Sequence, residues 1–147
     1  MSHLTLDQAN TIIRVALEKA RALNLPPVAV AILDEGGHLK ALQREDGLSF
    51  LRVKVCQAKA WGAVGLASSS RAIGERYIQD DLQAGFITSL YSISGGQVVP
   101  VPGGVLIRDK GGAILGAVGV SGAKSEDDEA CAIAGIEAAG FTPDAGL

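Results

Sequence analysis

Residues 28–42 read VAVAILDEGGHLKAL and carry the clearest structural signal in the chain. A continuous run of apolar, partly β-branched residues ends at Asp34-Glu35-Gly36-Gly37, after which apolar residues return. Adjacent glycines supply the positive φ that a tight turn needs, so the stretch predicts a β-hairpin. Residues 105–121 repeat the arrangement around Asp109-Lys110-Gly111-Gly112 and predict a second hairpin.

Helices are predicted before, between and after the hairpins. Thr5-Leu6-Asp7-Gln8 has the capping-box pattern and opens an amphipathic helix that runs to Leu23. Residues 49–67 predict a helix rich in small side chains, whose glycines indicate that another backbone approaches closely. Residues 71–82 predict a shorter helix, and residues 125–139 predict a last helix that Ser125 caps and that begins with four acids.

The β-rich composition of residues 86–93 predicts one further strand, which gives the order α-β-β-α-α-β-β-β-α. Strands that come as hairpins, with helices grouped between and after them, indicate an α+β domain with an antiparallel sheet. One such domain is expected over residues 1–147. The last helix is apolar around its whole circumference at residues 130–136, which predicts self-association to cover its second side.

Composition and charge exclude several classes of protein. The chain has 48% hydrophobic residues and a formal net charge of -3, values that fit neither a disordered nor a collagen-like protein. No run of lysines or arginines offers the positive surface that nucleic acid requires. No apolar segment is long enough for a membrane span, and residues 1–5 lack the features of a secretory signal, so a cytoplasmic protein is expected.

The cysteines and glycines carry no recognisable catalytic or phosphate-binding motif. Cys56 and Cys131 have neither CxxC nor zinc-site spacing and are predicted to be plain buried thiols. The glycine-rich pieces match neither a phosphate loop nor a dinucleotide fingerprint. Pro102-Gly103-Gly104 begins a strand, so its backbone N–H groups are expected to be free for an anionic or carbonyl ligand.

Four side chains are candidates for chemistry. His38 follows a hairpin turn; it is either an ordinary surface histidine or an axial ligand of haem iron, which needs only one protein ligand. Lys59 lies among small apolar residues, where it is either a snorkelling surface lysine or a group that is partly desolvated or paired with an acid. Asp128 and Glu129 either complement the dipole of the last helix, or pair with Lys59 or hold a polar substrate.

Several motifs in the right order resemble the GlcG/HbpS family, which includes the C-terminal domain of PduO-type cobalamin adenosyltransferases. The first motif is residues 29–39 with Arg44-Glu45-Asp46-Gly47, and the second is Cys56-Gln57-Ala58-Lys59-Ala60. The third is residues 102–107, and the fourth is residues 116–122 with Asp128-Glu129. The resemblance implies a profilin-like fold and homo-oligomers up to octamers, with haem bound by some members. One departure is Val105-Leu106-Ile107, because the family commonly has proline in this segment, so the loop geometry behind Gly104 is expected to differ.

Three functions follow as expectations. The first is a cytoplasmic oligomeric protein that binds haem or a related tetrapyrrole. His38 would coordinate the iron, and Arg44 and Lys59 would pair with the propionates. The other expected binding residues are Gly103, Gly104, Ser121, Gly122 and Asp128. The second is a cofactor-independent catabolic enzyme in which Lys59 with Asp128 or Glu129 transfers protons on a small aromatic or hydroxy-acid substrate. The third is a structural assembly protein without a ligand. The shortage of aromatics leaves Trp61, Phe50 and Tyr91 as stacking partners for a porphyrin.

Overall fold

Two hairpins and one short added strand form the sheet. In the computed structural model, which describes residues 3–147, β1 (Ala29–Asp34) pairs with β2 (Leu39–Arg44), and β3 (Gly104–Arg108) pairs with β4 (Ile114–Ser121). A three-residue strand, β5 (Thr142–Asp144), pairs with β3. β1 also pairs with β4, so the order is β2-β1-β4-β3-β5 and every neighbouring pair is antiparallel. The α+β class with an antiparallel sheet flanked by helices is confirmed.

The two predicted turns have the same hydrogen bonding. The N–H of Gly37 donates to the carbonyl of Asp34 at 3.0 Å, and the N–H of Gly112 donates to the carbonyl of Asp109 at 3.0 Å. Gly37 and Gly112 have φ of 80° and 89°, which a side chain with a Cβ rarely adopts. The aspartate and glycine pattern therefore fixes both hairpins through the same turn chemistry.

Helices cover both faces of the sheet. Helix α1 (Leu6–Ala22) and helix α5 (Ser125–Ala138) pack on each other and on one face. Helix α2 (Phe50–Leu66) packs on the other face, and α3 (Ser70–Tyr77) and α4 (Asp81–Ser94) lie beside it. The predicted capping box of α1 is present, with the Thr5 hydroxyl accepting from the N–H of Gln8 at 3.1 Å.

Alternation along the strands sorts the core into these two layers. Val30, Ile32 and Val118 belong to the hydrophobic cluster under α1 and α5. Ala29 and Ala31 lie on the opposite face of the sheet and pack with Cys56 of α2. The small residues on the α2 side let the helix backbone approach the sheet closely, as the composition of α2 predicted.

The predicted strand at residues 86–93 is wrong, because these residues form the second half of α4. The Asp80 carboxylate accepts from the N–H of Gln83 at 2.8 Å at the start of this helix, and Gly95 ends it in the left-handed conformation at φ 71°. The helix predicted over residues 71–82 ends earlier, at Tyr77. Local caps therefore outweigh the β propensity of this segment. The short strand β5 was not predicted.

Helix α1 packs against the apolar side of α5 for which the sequence analysis had found no packing partner within the chain. A Cβ on Gly135 would lie 2.9 Å from Cγ2 of Ile12, so the two helices are in close contact. Self-association is therefore not needed to bury α5, and that reason for predicting it is wrong. The predicted cap is also shifted, since Lys124 occupies the N-cap position and Ser125 is the first helical residue.

Both cysteines are buried free thiols, as predicted. Burial raises the pKa of the Cys56 thiol to about 12 and that of Cys131 to about 11. Among residues 3–147, no helix has both the length and the hydropathy that a bilayer span requires. The expectation about a secretory signal depends partly on Met1 and Ser2, which lie outside the described residues.

Candidate functional site

Lys59 and Asp128 form an ion pair inside the protein. The Lys59 ammonium, on α2, lies 3.2 Å from Oδ2 of Asp128 in the first turn of α5 and donates to the carbonyl of Val120 at 2.9 Å. Oδ1 of Asp128 accepts from the N–H of Ala123 at 3.0 Å. The side chains of Lys59 and Asp128 are 2% and 1% exposed. The predicted pairing of Lys59 with an acid is confirmed, and the snorkelling alternative is wrong.

Burial dominates the electrostatics of this pair. Removal from water lowers the pKa of Lys59 and raises that of Asp128, because it penalises the charged form of each. The attraction between them opposes both shifts. The hydrogen bond that Lys59 donates to the Val120 carbonyl and the one that Asp128 accepts from the Ala123 N–H further support the charged forms. The arrangement ties α2 to the start of α5 and to the end of β4.

Glycines of the predicted binding wall pack around Lys59 rather than around an open pocket. A Cβ on Gly103 would lie 2.7 Å from Nζ of Lys59, and a Cβ on Gly104 would collide with the Lys59 backbone. The N–H of Gly104 donates to Oγ of Ser70 at 2.7 Å, so the expectation that it is free is wrong. Gly122 packs its backbone against the carbonyl of Pro27.

Ser121, the last residue of β4, is fully buried beside this cluster. Its Oγ has no hydrogen-bond partner within residues 3–147. Lys59, Asp128, Gly103, Gly104 and Ser121 are thus brought to one region of the interior, although no opening to solvent exposes them there. Their roles as ligand contacts stay predictions.

A second ion pair joins α3 to α5. The Arg71 guanidinium donates from Nε and Nη2 to the two carboxylate oxygens of Glu129, at 2.9 and 3.0 Å. These two hydrogen bonds to the Glu129 carboxylate raise the pKa of Arg71. Arg71 and Ser70 were not singled out from the sequence, although Ser69 supplies the N-cap of α3. A serine cap with an arginine two residues later was the available signal.

Arg44 lies on the surface, at the end of the edge strand β2. With Arg21, Glu45 and Asp46 it lines a groove of about 360 Å³ between β2 and α1. Arg21 is bound to Glu45, with Nε 3.1 Å from Oε2. The groove therefore carries one arginine that has no salt bridge within residues 3–147.

His38 lies at the opposite end of the same strand, directly after the first turn. Its backbone N–H donates to Oδ1 of Asp34 at 3.0 Å, and its exposed ring stands over Gly36, where a Cβ would lie 3.0 Å from Cδ2. His38 and Arg44 are six residue steps apart along an extended strand, or about 20 Å. One chain therefore does not bring His38, Arg44 and Lys59 to a single ligand.

No group of three or more metal-ligating side chains is present in the described residues 3–147. The other histidine, His3, reaches the same turn and places Nδ1 3.1 Å from Oε1 of Glu35. Two imidazoles thus lie near the β1–β2 turn, but they do not form a protein-only metal site.

Comparison with known proteins gives consistent relatives. The chain matches the family model described as "Haem degrading protein HbpS-like" over residues 4–137. It is 33% identical over 121 residues to GlcG of Escherichia coli K12, covering 80% of this chain and 81% of that protein. It is 32% identical over 127 residues to a 15.0 kDa protein of the dhaT–dhaS intergenic region of Citrobacter freundii, with 85% and 84% coverage.

Solved structures agree with these relatives. The PduOC:haem complex superposes with a TM-score of 0.84 and 26% identity, covering 97% of this chain and 99% of that one. A double mutant of HbpS from Streptomyces reticuli gives a TM-score of 0.78 and 30% identity, with 93% and 87% coverage. Both likenesses extend over nearly the whole chain, as does the family model. The chain therefore belongs to the GlcG/HbpS family.

Proposed function

We propose that this protein binds haem, or a related tetrapyrrole, as a cytoplasmic homo-oligomer. The observation that carries the proposal is the likeness to the PduOC:haem complex, at a TM-score of 0.84 over 97% of the chain. The description of the matching family model points to the same ligand. The free thiols of Cys56 and Cys131 fit a reducing compartment.

His38 is the proposed iron ligand. Its ring is exposed, and within residues 3–147 neither ring nitrogen has a hydrogen-bond partner, so either is free to coordinate. The neighbouring Leu39 side chain is 52% exposed, and the Trp61 indole lies against Gly37 of the same turn. An imidazole beside apolar surface is the donor set that haem requires from a protein, and bound haem would supply a redox-active iron there.

The remaining contacts of the proposed site are expected at a subunit interface. Lys59 is committed to Asp128 inside the fold, so it is a poor partner for a propionate. Arg44 is exposed and lies about 20 Å from His38 within one chain. We therefore assign Arg44 to a propionate only where it belongs to a neighbouring copy.

An exposed stripe on α4, with the Arg76 guanidinium 4.8 Å from the centre of the Phe86 ring, supports the oligomer. The stripe consists of Leu82, Phe86, Ser89 and Ile93, whose spacing places them on one side of the helix. Leu82 and Ile93 are each 79% exposed, and no charged residue occurs between Asp81 and Arg108. Ile87 is the only residue of α4 that is fully buried. Such a helix needs a partner to remove its apolar side from water.

The pattern of the stripe fits a second copy of itself. A two-fold axis at the middle of two antiparallel α4 helices places Leu82 of each copy opposite Ile93 of the other. The same register places the large Phe86 opposite the small Ser89 in both directions. The match of large with small side chains favours a symmetric contact between copies of this chain.

The haem proposal is tested by titrating the purified protein with haemin and following the Soret band. Saturation at one equivalent per subunit or per interface is expected, and the chromophore should elute with the protein in gel filtration. His38→Ala is expected to change the spectrum and weaken binding, whereas His3→Ala, at the same turn, is the matched control and should bind normally. A spectrum identical to that of free haemin would overturn the proposal.

The catabolic-enzyme alternative receives less support from the geometry. Lys59 and Asp128 are buried in one ion pair, and Glu129 is held by Arg71 in another. A proton-transfer role would require these pairs to open toward a substrate.

A further inference from the structure

A small apolar crevice lies between α2 and α4, on the side of the sheet away from α1 and α5. Its volume is about 140 Å³. Trp61 and Leu66 of α2 form one wall, Leu90 and Ile93 of α4 form the other, and Val98 lies at the base. Ile93 also belongs to the α4 stripe, so the crevice lies beside the proposed contact between copies. No charged side chain lines it, and the one polar side chain, that of Ser94, has its Oγ engaged by the N–H of Gln97 at 3.0 Å.

One glycine of the crevice has no packing reason to be glycine. A Cβ on Gly65 would meet nothing closer than Cζ3 of Trp61, at 4.0 Å, and Gly65 is exposed. Gly62, one turn earlier, differs because its Cβ would lie 3.4 Å from Cγ1 of Val98. Glycine is a poorer helix former than alanine, so Gly65 weakens α2 without relieving a clash. Its missing side chain leaves the mouth of the crevice open.

The size and lining define the class of ligand. An apolar protein cavity of about 150 Å³ stays dry and accepts benzene, so a space of about 140 Å³ suits a single six-membered ring. The Trp61 indole provides an aromatic wall for such a ring. A carboxylate on the ring would be buried without a cation, which is costly. A tetrapyrrole is far larger than this space, so the crevice is distinct from the haem contact proposed above.

We propose that the crevice between Trp61, Gly65 and Leu90 binds an uncharged single-ring aromatic molecule. Gly65 keeps the entrance open, and the absence of charged groups selects against aromatic acids. The inference does not rest on the proposed haem binding, because benzyl alcohol is titrated against the haem-free protein. Trp61 nevertheless borders both the crevice and the β1–β2 turn that carries His38.

The chain contains one tryptophan, so its emission reports on this crevice and on the groove at the β1–β2 turn that Trp61 also lines. The test is a titration with benzyl alcohol, with benzoate as the charged analogue and calorimetry as a second readout. A saturable change in Trp61 emission with benzyl alcohol is expected, with no saturable change for benzoate over the same concentrations. A linear, non-saturating response to benzyl alcohol, or equal binding of benzoate, would overturn the proposal.

A pair of glycine variants separates occupancy of the crevice from general effects on the helices. Gly65→Leu fills the mouth from an exposed helical position and is expected to weaken benzyl alcohol binding by calorimetry at least about tenfold, with an unchanged fold by circular dichroism. Gly85→Ala is the matched control, because Gly85 is an exposed helix glycine with nothing within 4 Å and lies outside the crevice. Unchanged affinity in Gly65→Leu would contradict the assignment.

Discussion

The backbone of Gly119 in β4 lies directly against the carbonyl oxygen of Cys56 in α2, with no room for a Cβ between them. A methyl group there would also lie 3.1 Å from Cβ of Ala60. Helix α2 therefore rests on the sheet at the distance that glycine allows. This contact sets the distance between the sheet and α2, the helix that carries both Lys59 and Trp61.

Gly119→Ala is expected to destabilise the protein by about 3 kcal/mol or more, because backbone rather than a flexible side chain must move. Gly85→Ala, in the exposed part of α4, is expected to stabilise by about 0.5–1 kcal/mol, since alanine is the better helix former. Urea unfolding of the two variants measures both values. Equal and small effects would show that α2 does not need this close approach.

Sequence patterns predicted the sheet well because its signals are local. The aspartate and glycine turns at Asp34 and Asp109 fix the hairpins, and the capping box at Thr5 fixes the start of α1. The segment 86–93 was misassigned because its β-branched and aromatic residues favour a strand, whereas the cap at Asp80 and the end at Gly95 favour a helix.

The candidate site was only partly predictable, since convergence in space is not visible in a sequence. The composition around Lys59 indicated a desolvated lysine, and its partner Asp128 was one of two acids considered. The pairing of Arg71 with Glu129 was missed because nothing in the sequence around Arg71 marked it as a partner for an acid on another helix. The separation of His38 from Arg44 follows from their places at opposite ends of β2, which the predicted hairpin already contained.

Removal of one member of the Lys59–Asp128 pair is expected to cost about 3–5 kcal/mol, because the remaining charge stays buried without its partner. Lys59→Met and Asp128→Leu are each expected to be strongly destabilised, and the double variant is expected to be more stable than either. Denaturant unfolding in a double-mutant cycle measures the coupling.

The exposed pair Arg14–Glu18 is the matched control, with 2.8 Å between Nη1 and Oε1 and both side chains over 60% exposed. Its disruption by Glu18→Gln is expected to change stability by no more than about 0.5 kcal/mol. A double Lys59→Met/Asp128→Leu variant that loses the full sum of the single effects would contradict a compensated ion pair.

Cys56 predicts a loss of stability at alkaline pH. Its pKa is raised from 9.0 to about 12 by burial, so between these values the native state holds a proton that the unfolded chain has released. The stabilisation that the protonated Cys56 thiol contributes to the native state is complete below pH 9 and declines as pH rises toward 12. From pH 8 to pH 10.5 the free energy of unfolding is expected to fall by about 2 kcal/mol from this thiol.

The effect of Cys56 is isolated by comparing the wild type with Cys56→Ala at each pH, because Lys59 and the other groups titrate in both proteins. The difference in unfolding free energy between the two is expected to shrink as pH rises through this range. A constant difference would show that the thiol ionises as readily in the folded protein as in the unfolded chain.

The stripe on α4 predicts how the proposed oligomer would be dissociated and restored by substitution. Leu82→Glu puts a charge into the proposed contact between copies and is expected to weaken association at least about hundredfold by sedimentation velocity. Thr88→Glu adds the same charge on an exposed side of α4 away from the stripe and should leave association unchanged. Because the antiparallel register places Leu82 opposite Ile93 of the other copy, the double variant Leu82→Glu/Ile93→Lys is expected to recover association through two intersubunit ion pairs. Recovery of this kind requires the two positions to face each other. A double variant that stays as dissociated as Leu82→Glu would therefore reject the antiparallel contact. A wild type that is monomeric at micromolar concentration would reject it as well.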